Sequence, residues 1–167
     1  YGKISAAKAF EVSSNTALVQ IINDNYKDKP EIFVDGLFEM KINEPLGLPI
    51  LGEGLPLFTH PDDKLNWDGL DLPWMAFGYG ISLTPLQTLT FYNAIANNGI
   101  MVKPRFIKEV KQFDEIIEEF KTEIISESIC SIETINVVKN MMKNVVEKKH
   151  GTAHNIYSKD FSMAGKT

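Results

Sequence analysis

Two short groups of polar side chains, near opposite ends of the 167-residue chain, are of types that could act together on an amide or a carboxylate. Ser13 and Asn15 flank a second serine, and Lys166 and Thr167 follow an Ala-Gly pair. A hydroxyl and a carboxamide both donate and accept hydrogen bonds, and a lysine supplies a cation. Each group alone has a plainer interpretation, because serine and asparagine are also favoured helix caps.

The hydrophobic pattern places Ser13 and Asn15 on a turn between two helices. Ser5 can cap a short helix that reaches Phe10, because its hydroxyl can accept from a free backbone N–H group. A second helix is predicted after Asn15, where apolar residues recur at helical spacing. These residues are Ala17, Leu18, Ile21 and Ile22.

Two further helices have clear boundaries in the sequence. A proline opens the predicted helix over 30–40. Thr84 and Gln87 form a capping box that opens another helix over 85–98, which ends at an Asn-Gly pair. Between these two helices, residues 43–80 are rich in glycine and proline and are predicted to be mainly irregular.

The last predicted helix starts near Ser131 and ends near Lys148, with one apolar face toward the core. That face comprises Ile135, Val138, Met141, Met142, Val145 and Val146. Extended segments are predicted at 100–110 and 123–125. The short alternating run 161–167 is interpreted as a strand.

The composition fits a globular domain and gives no sign of nucleic-acid binding. The chain is 44% hydrophobic, and its 17 basic residues are scattered among 22 acidic ones for a net charge of −5. The densest basic run is interpreted as a solvated strand edge, since edge strands commonly carry lysine. It comprises Lys103, Arg105, Lys108 and Lys111. No apolar run is long enough to cross a membrane.

No pattern in the sequence predicts a metal or a cofactor. The one cysteine, Cys130, excludes a disulfide within the chain and is interpreted as a buried apolar residue. His60, Asp62 and Asp63 lie in a polar loop with a proline and are interpreted as a solvated turn. His150 is placed where a cation complements the end of the last helix.

Four blocks in a fixed order carry a specific resemblance. They span 9–15, 78–87, 96–99 and 164–167, and read AFEVSSN, GYGISLTPLQ, ANNG and AGKT. In this order they resemble the transpeptidase domain of class B penicillin-binding proteins, over essentially the whole chain. Penicillin-recognising serine enzymes combine an S-x-x-K, an S-x-N and a K-[ST]-G motif, and here the second is intact and the third lacks its glycine.

The resemblance implies an α+β chain with part of the β-lactamase/transpeptidase-like fold, mainly the helical lobe with a few antiparallel strands. The helix with the first motif and the final strands are expected outside the chain. Residues 1–167 would then be a single incomplete transpeptidase domain, from just before S-x-N to the Lys-Thr of K-T-G.

The function that the resemblance implies is peptidoglycan D,D-transpeptidation. In this family a serine attacks the D-Ala-D-Ala amide of a peptidoglycan stem peptide, forms an acyl-enzyme and passes the acyl group to an amine on a neighbouring strand. A serine needs an adjacent base to become nucleophilic, and the family uses the S-x-x-K lysine. β-Lactams inhibit such enzymes because they acylate the same serine.

The resemblance also assigns roles to four residues. Ser13 would relay a proton between the S-x-x-K lysine and Lys166, and Asn15 would hold the substrate's amide. Lys166 would place a cation beside the Ser13 hydroxyl and attract the substrate's terminal carboxylate, to which Thr167 would donate. Because neighbouring side chains of a strand point to opposite faces, Lys166 and Thr167 would need a local twist to reach one cleft.

Residues 5–8 read SAAK and match S-x-x-K literally. They lie only one short helix before Ser13, whereas the family separates its first two motifs by a longer stretch. Ser5 is therefore interpreted as a helix cap and Lys8 as a surface residue. The nucleophile is expected before residue 1, and the chain alone is expected to be inactive.

The same resemblance leaves three alternatives for the whole protein: a serine β-lactamase, the sensor domain of a resistance regulator, or a non-catalytic scaffold of cell-wall assembly. It implies a location on the outer face of the cytoplasmic membrane or in the periplasm, with an anchor outside this chain. Cell-division or elongation proteins are the expected partners beside stem peptides and β-lactams, and neither nucleic acid nor a cofactor is implied.

Overall fold

The computed structural model describes residues 2–167. In chain order the helices are α1 (Ala6–Glu11), α2 (Asn15–Tyr26), α3 (Pro30–Glu39), α4 (Asp71–Met75), α5 (Pro85–Ala96) and α6 (Ile132–Glu147), followed by the 3₁₀ helix η1 (His154–Ile156). The strands are β1 (Leu57–Phe58), β2 (Ile81–Ser82), β3 (Met101–Val102), β4 (Glu109–Gln112), β5 (Glu115–Glu119) and β6 (Ile124–Ser126). The described chain is thus mainly helical with short strands, which confirms the predicted α+β composition.

The boundaries of α5 follow from its capping residues. The backbone N–H of Thr84 donates to the Gln87 side chain at 2.7 Å, and the N–H of Gln87 donates back to the Thr84 hydroxyl at 3.2 Å. At the other end, the N–H of Gly99 donates to the carbonyl of Ala94 at 2.8 Å, with Gly99 at a φ of 93°. Asn98, at a φ of 56°, is the left-handed residue that follows the helix cap. The predicted start of α5 is confirmed, and the helix ends at Ala96, two residues before the predicted end.

The strands form three separate antiparallel pairs: β1 with β2, β3 with β6, and β4 with β5. The extended segment predicted at 100–110 is therefore two strands in two different pairs. The N–H of Lys103 still donates to the carbonyl of Glu123 at 2.9 Å. Pro104 follows, and because it has no N–H it cannot continue this ladder.

The strand predicted at 161–167 is wrong. Within residues 2–167 this segment pairs with no other strand, and the N–H of Gly165 donates to the carbonyl of Met142 in α6 at 3.1 Å. Alternating side chains predict which faces a strand would present, but a ladder also requires a neighbouring strand. The segment instead runs along α6, which keeps its end beside the C-terminal half of that helix.

The main core lies between α5 and α6, as the apolar face predicted for the last helix requires. Its buried members are Ala94, Ile95, Met101, Ile129, Ile135 and Met142. Phe10 of α1 packs against this cluster, so the end of α1 is tied to the core. Cys130 is only half-buried, which corrects the prediction of a buried cysteine.

The basic run is partly paired. Lys103 lies 3.3 Å from Glu123, and the Arg105 guanidinium donates to the carbonyl of Phe120. Lys111 is exposed on β4, as predicted for a solvated edge. Among the described residues, no helix combines the length and the apolar character needed to cross a membrane.

Candidate active site

Ser13 lies on the turn between α1 and α2, in a backbone conformation that is unusual for serine. Its φ is 50°, and left-handed backbone costs a residue with a side chain about 1–2 kcal/mol. Two backbone hydrogen bonds hold the turn. The N–H of Ser13 donates to the carbonyl of Phe10 at 3.1 Å, and the N–H of Ser14 donates to the carbonyl of Ala9 at 2.9 Å. Strain of this kind is often found where a side chain must take a functional position.

The Ser13 hydroxyl contacts both residues at the other end of the chain. The ammonium group of Lys166 donates to Ser13 Oγ at 2.5 Å. The hydroxyl of Thr167 lies 2.8 Å from the same oxygen, and Ser13 also donates to the Thr167 carbonyl at 3.1 Å. The structure therefore brings Ser13, Lys166 and Thr167 together, as the sequence predicts.

Lys166 and Thr167 reach the same hydroxyl although they are neighbours in sequence. In a regular strand the two side chains would point to opposite faces. Residues 161–167 are not in a strand ladder, so their side chains do not follow that alternation. Lys166 and Thr167 thus show the local departure from strand geometry that they need to reach one cleft.

The ammonium group of Lys166 lies between the polar turn and the apolar core. It sits 5.4 Å from the centre of the Phe10 ring, a cation–π distance. The side chain also borders an apolar cavity of about 260 Å³ in the α5–α6 core. Burial lowers the pKa of Lys166 from its ordinary value, because the charged form loses hydration there.

Asn15 is the first residue of α2 and is exposed. The helix cap is Ser14, whose hydroxyl accepts from the N–H of Ala17 at 3.4 Å. Since the cap is the middle residue of the Ser-Ser-Asn group, neither Ser13 nor Asn15 is needed for it. The carboxamide of Asn15 stands at the solvent side of the same turn and can both donate and accept.

Ser5 is a helix cap, which confirms its predicted structural role. Its hydroxyl accepts from the backbone N–H of Lys8 at 3.2 Å, at the start of α1. This contact satisfies one of the free backbone N–H groups at the start of α1.

A buried carboxylate next to this turn was missed by the sequence analysis. Glu11 is 6% exposed, and its two oxygens accept from Asn144 at 2.7 Å and from His150 Nε2 at 2.5 Å. Burial raises the pKa of Glu11, but the hydrogen bonds from both partners and the positive charges of His150 and Lys148 outweigh burial and lower it below 4.5. His150 therefore pairs with α1, whereas the sequence predicted only that it complements the end of α6.

Thr152 was also missed and joins the same group of contacts. Its backbone N–H donates to the carbonyl of Glu11 at 3.2 Å, and its hydroxyl lies 2.5 Å from the hydroxyl of Thr167. No local pattern could identify Glu11, His150 or Thr152, because their partners are far away in sequence. Only the Gly-Thr pair after the last helix marks a tight turn there.

The turn around His60 is solvated at Asp62 and Asp63, as the sequence predicts, whereas His60 itself is half-buried. His60 Nε2 lies 3.2 Å from Asp35, and its other ring nitrogen accepts from the N–H of Asp62 at 3.1 Å. Over residues 2–167, no group of three or more histidine, cysteine or acidic side chains is close enough to hold a metal ion. At the Ser13 site, a hydroxyl in contact with an ammonium group can transfer protons and stabilise negative charge.

A family model and several curated proteins are similar to this chain. The family model for the penicillin-binding protein transpeptidase domain matches residues 1–167. The penicillin-binding protein PbpB of Mycobacterium tuberculosis is 30% identical over 164 residues, which are 95% of this chain and 23% of that protein. The peptidoglycan D,D-transpeptidase FtsI of Buchnera aphidicola is 29% identical over 165 residues, 98% of this chain and 26% of that protein. The chain thus spans about a quarter of the length of these relatives.

Solved structures show the same fold. A crystal structure of penicillin-binding protein 3 from Mycobacterium tuberculosis in complex with ampicillin is 28% identical, with a TM-score of 0.78 over 97% of this chain and 35% of that one. Penicillin-binding protein 2B of Streptococcus pneumoniae is 21% identical, with a TM-score of 0.78 over 98% of this chain and 30% of that one. These likenesses confirm the predicted partial transpeptidase-like fold. The chain belongs to the family of penicillin-binding protein transpeptidase domains.

Proposed function

We propose that this chain forms one side of the active site of a longer peptidoglycan D,D-transpeptidase. In this proposal the serine nucleophile and its lysine base come from residues outside 1–167, and residues 1–167 are part of one incomplete domain. The observation that supports it most directly is the hydrogen bond from Lys166 to the Ser13 hydroxyl at 2.5 Å. The coverage of about a quarter of each related protein is consistent with a longer parent.

Ser13 is the proton relay in this proposal. Its hydroxyl accepts from Lys166 and can donate at the same time to a second base. A proton taken from the nucleophile can therefore pass through Ser13 toward the leaving amine of the D-Ala-D-Ala substrate. General acid–base catalysis of this type contributes about 100- to 10,000-fold in rate.

Lys166 and Thr167 bind the terminal carboxylate of the substrate. The ammonium group supplies the opposite charge, and the Thr167 hydroxyl can donate a hydrogen bond to a carboxylate oxygen. Both groups lie within 2.8 Å of Ser13 Oγ. A carboxylate held there would be fixed beside the relay, which is the positioning on which the rate depends.

Asn15 binds the amide of the substrate's acyl side. Its carboxamide is exposed at the start of α2, two residues from the relay. Because the cap of α2 is Ser14, the Asn15 side chain is free to donate to a carbonyl and to accept from an N–H group of an extended peptide.

The whole protein acts outside the cytoplasmic membrane, on its outer face or in the periplasm, where peptidoglycan stem peptides are. It is held there by an anchor beyond these residues and works with cell-division or elongation proteins. It is acylated by β-lactams, a proposal supported by the related penicillin-binding protein 3 solved in complex with ampicillin.

A fluorescent penicillin tests this proposal on gels of the longer protein that contains the chain. We expect a stable covalent adduct on that protein, a strongly reduced adduct in Lys166→Ala, and an unchanged adduct in Ser5→Ala. The chain of residues 1–167 alone should remain unlabelled. Rapid turnover of penicillin by the longer protein, or labelling at Ser5, would contradict the proposal.

A further inference from the structure

The carboxylate of Glu11 takes no part in the proposed chemistry, yet it is buried away from water. Removing a charged group from water is unfavourable unless hydrogen bonds and an opposite charge replace its hydration. Glu11 has both kinds of partner: Asn144 donates to one oxygen at 2.7 Å and His150 to the other at 2.5 Å. The side chain thus holds the last turn of α6 and the segment that follows it.

The backbone of Glu11 holds the same segment at a second point. Its carbonyl accepts from the N–H of Thr152 at 3.2 Å. Since His150 and Thr152 are both held by one residue of α1, this short stretch is fixed against the end of that helix. Ser13 follows Glu11 by two positions, with the buried Val12 between them.

The segment leads directly into the candidate active site. The Thr152 hydroxyl lies 2.5 Å from the Thr167 hydroxyl, which lies 2.8 Å from Ser13 Oγ. The contacts therefore close a ring from Glu11 along the chain to Ser13, then through Thr167 and Thr152 back to Glu11. Moving the segment after α6 would therefore move the Thr152 hydroxyl. That hydroxyl contacts Thr167, which is the hydrogen-bond partner of Ser13.

Packing leaves this segment little freedom at its other side. A Cβ on Gly151 would lie 2.2 Å from the carbonyl oxygen of Val145 and 2.6 Å from that of Asn144. The N–H of Ala153 also donates to the Val145 carbonyl at 3.1 Å. The segment is thus fixed by backbone contacts to α6 on one side and by Glu11 on the other.

We propose that Glu11 and His150 are positioning residues, which set the place of Thr152 and through it the contact of Thr167 with Ser13. This inference rests on the proposed function of the Ser13–Lys166 site. The pair acts through position, because among the described residues neither side chain hydrogen-bonds to Ser13 or Lys166. A displacement of about 1 Å at a reacting group can cost about 100-fold in rate, so a small shift of the segment would be measurable.

The substitution Glu11→Gln is the sharpest probe. A glutamine has nearly the same shape but one acceptor oxygen, so its amide N–H₂ group must face either the Asn144 donor or His150 Nε2, which can accept only after it loses its proton. We expect this mismatch of hydrogen-bonding groups to displace the segment after α6 without leaving a cavity at position 11. In contrast, His150→Gln keeps an N–H donor and should retain most of the rate, whereas His150→Phe removes the donor.

The experiment measures acylation of the longer protein by a fluorescent penicillin at several concentrations, which separates non-covalent affinity from the acylation rate constant. We expect Glu11→Gln and His150→Phe to lower the rate constant by about 10- to 100-fold with little change in affinity. The double variant with glutamine at both positions restores an acceptor opposite a donor and should recover part of the rate.

Two controls separate positioning from loss of stability. Glu133→Gln makes the same chemical change at an exposed glutamate of α6 and should not alter acylation. Thr84→Ala removes a remote helix cap and should lower the melting temperature without altering the rate constant at a temperature where the protein is folded.

The outcomes distinguish this inference from the proposed function. A wild-type protein that forms no adduct would contradict the proposed function itself. A labelled wild type whose Glu11→Gln and His150→Phe variants acylate at the same rate would overturn the positioning role alone. Should Glu11→Gln fail to fold, His150→Phe decides the matter by the same two results, since the His150 side chain is 40% exposed and Glu11 keeps its hydrogen bond from Asn144.

Discussion

Ser13 Oγ and Lys166 Nζ lie 2.5 Å apart although 153 positions separate the two residues in sequence. The contact joins the turn between α1 and α2 to the end of the chain. A hydroxyl that accepts from a half-buried ammonium group is polarised toward giving up its own proton. This relationship is the basis of the first two predictions.

Replacing Lys166 by methionine should lower β-lactam acylation of the longer protein by about 100- to 10,000-fold, the usual contribution of a group that assists proton transfer. Lys166→Arg keeps the charge but not the compact ammonium geometry, and should recover only part of the rate. The acylation rate constant measures both variants. The matched control is Lys159→Met, at an exposed lysine of the same terminal region, and an equal loss there would contradict the prediction.

Activity and stability should depend on pH in opposite ways through Lys166. Burial lowers its folded pKa below the ordinary 10.5. As pH rises through this folded pKa the cation is lost and acylation falls, at a lower pH than for an ordinary lysine. Between the folded pKa and 10.5 the unfolded chain binds more protons than the folded chain, so the contribution of Lys166 to the free energy of unfolding rises with pH. Profiles of the acylation rate and of urea unfolding against pH test both dependences in the wild type. Lys166→Arg should show neither, because arginine keeps its charge over this pH range.

The local features of this structure could be predicted from the sequence. The caps of α1 and α5 were predicted because serine, threonine and glutamine act on backbone N–H groups within three residues. The family resemblance that four ordered sequence blocks carry implies that Ser13 meets Lys166 and Thr167, and the structure places these three side chains in contact.

Long-range features outside the family's motifs could not be predicted, for physical reasons. The pairing of Glu11 with His150 spans 139 positions, and a buried carboxylate has the same sequence pattern as a solvated one until its partners are known. The strand predicted at 161–167 failed because strand formation depends on a neighbour that the alternating pattern does not supply.

Backbone strain at Ser13 predicts that a glycine there stabilises the fold, although it removes the hydroxyl of the candidate site. Since Ser13 has a φ of 50°, Ser13→Gly should relieve the conformational cost, whereas Ser13→Ala should retain it. We expect the glycine variant to be about 1 kcal/mol more stable than the alanine variant, from the cost of left-handed backbone. Both lose the hydroxyl and should acylate slowly. Urea unfolding gives the comparison, and equal stability of the two variants would argue against strain.

Gly151 should be intolerant of even one methyl group. Its Cβ would meet the carbonyl oxygen of Val145 at 2.2 Å, and backbone cannot move aside as a flexible side chain can. Gly151→Ala should cost about 1–3 kcal/mol, as overpacking does, and should also slow acylation because Thr152 would move with it. Gly69→Ala is the matched control, because a Cβ there meets nothing within 4 Å.

The buried carboxylate of Glu11 predicts an acid-dependent part of the stability. Its folded pKa lies below 4.5 because hydrogen bonds from His150 and Asn144, together with the charges of His150 and Lys148, outweigh the effect of burial. A carboxylate with a lowered folded pKa stabilises the protein above its unfolded pKa, and this contribution is lost as pH falls through the folded value. Glu11→Gln should therefore be less stable than the wild type at neutral pH, by about 1.5–3 kcal/mol for lost bonds to a charged group.

That difference should shrink below pH 4.5 as the wild type protonates Glu11. Urea unfolding at a series of pH values from 7 to 3 measures it, with Glu133→Gln as the exposed control. A gap between wild type and Glu11→Gln that stays constant over this range would mean that the charge on Glu11 does not stabilise the fold. In that case the segment after α6 would be held by the backbone contacts of Gly151 and Thr152 alone, and His150→Phe should then leave stability unchanged as well.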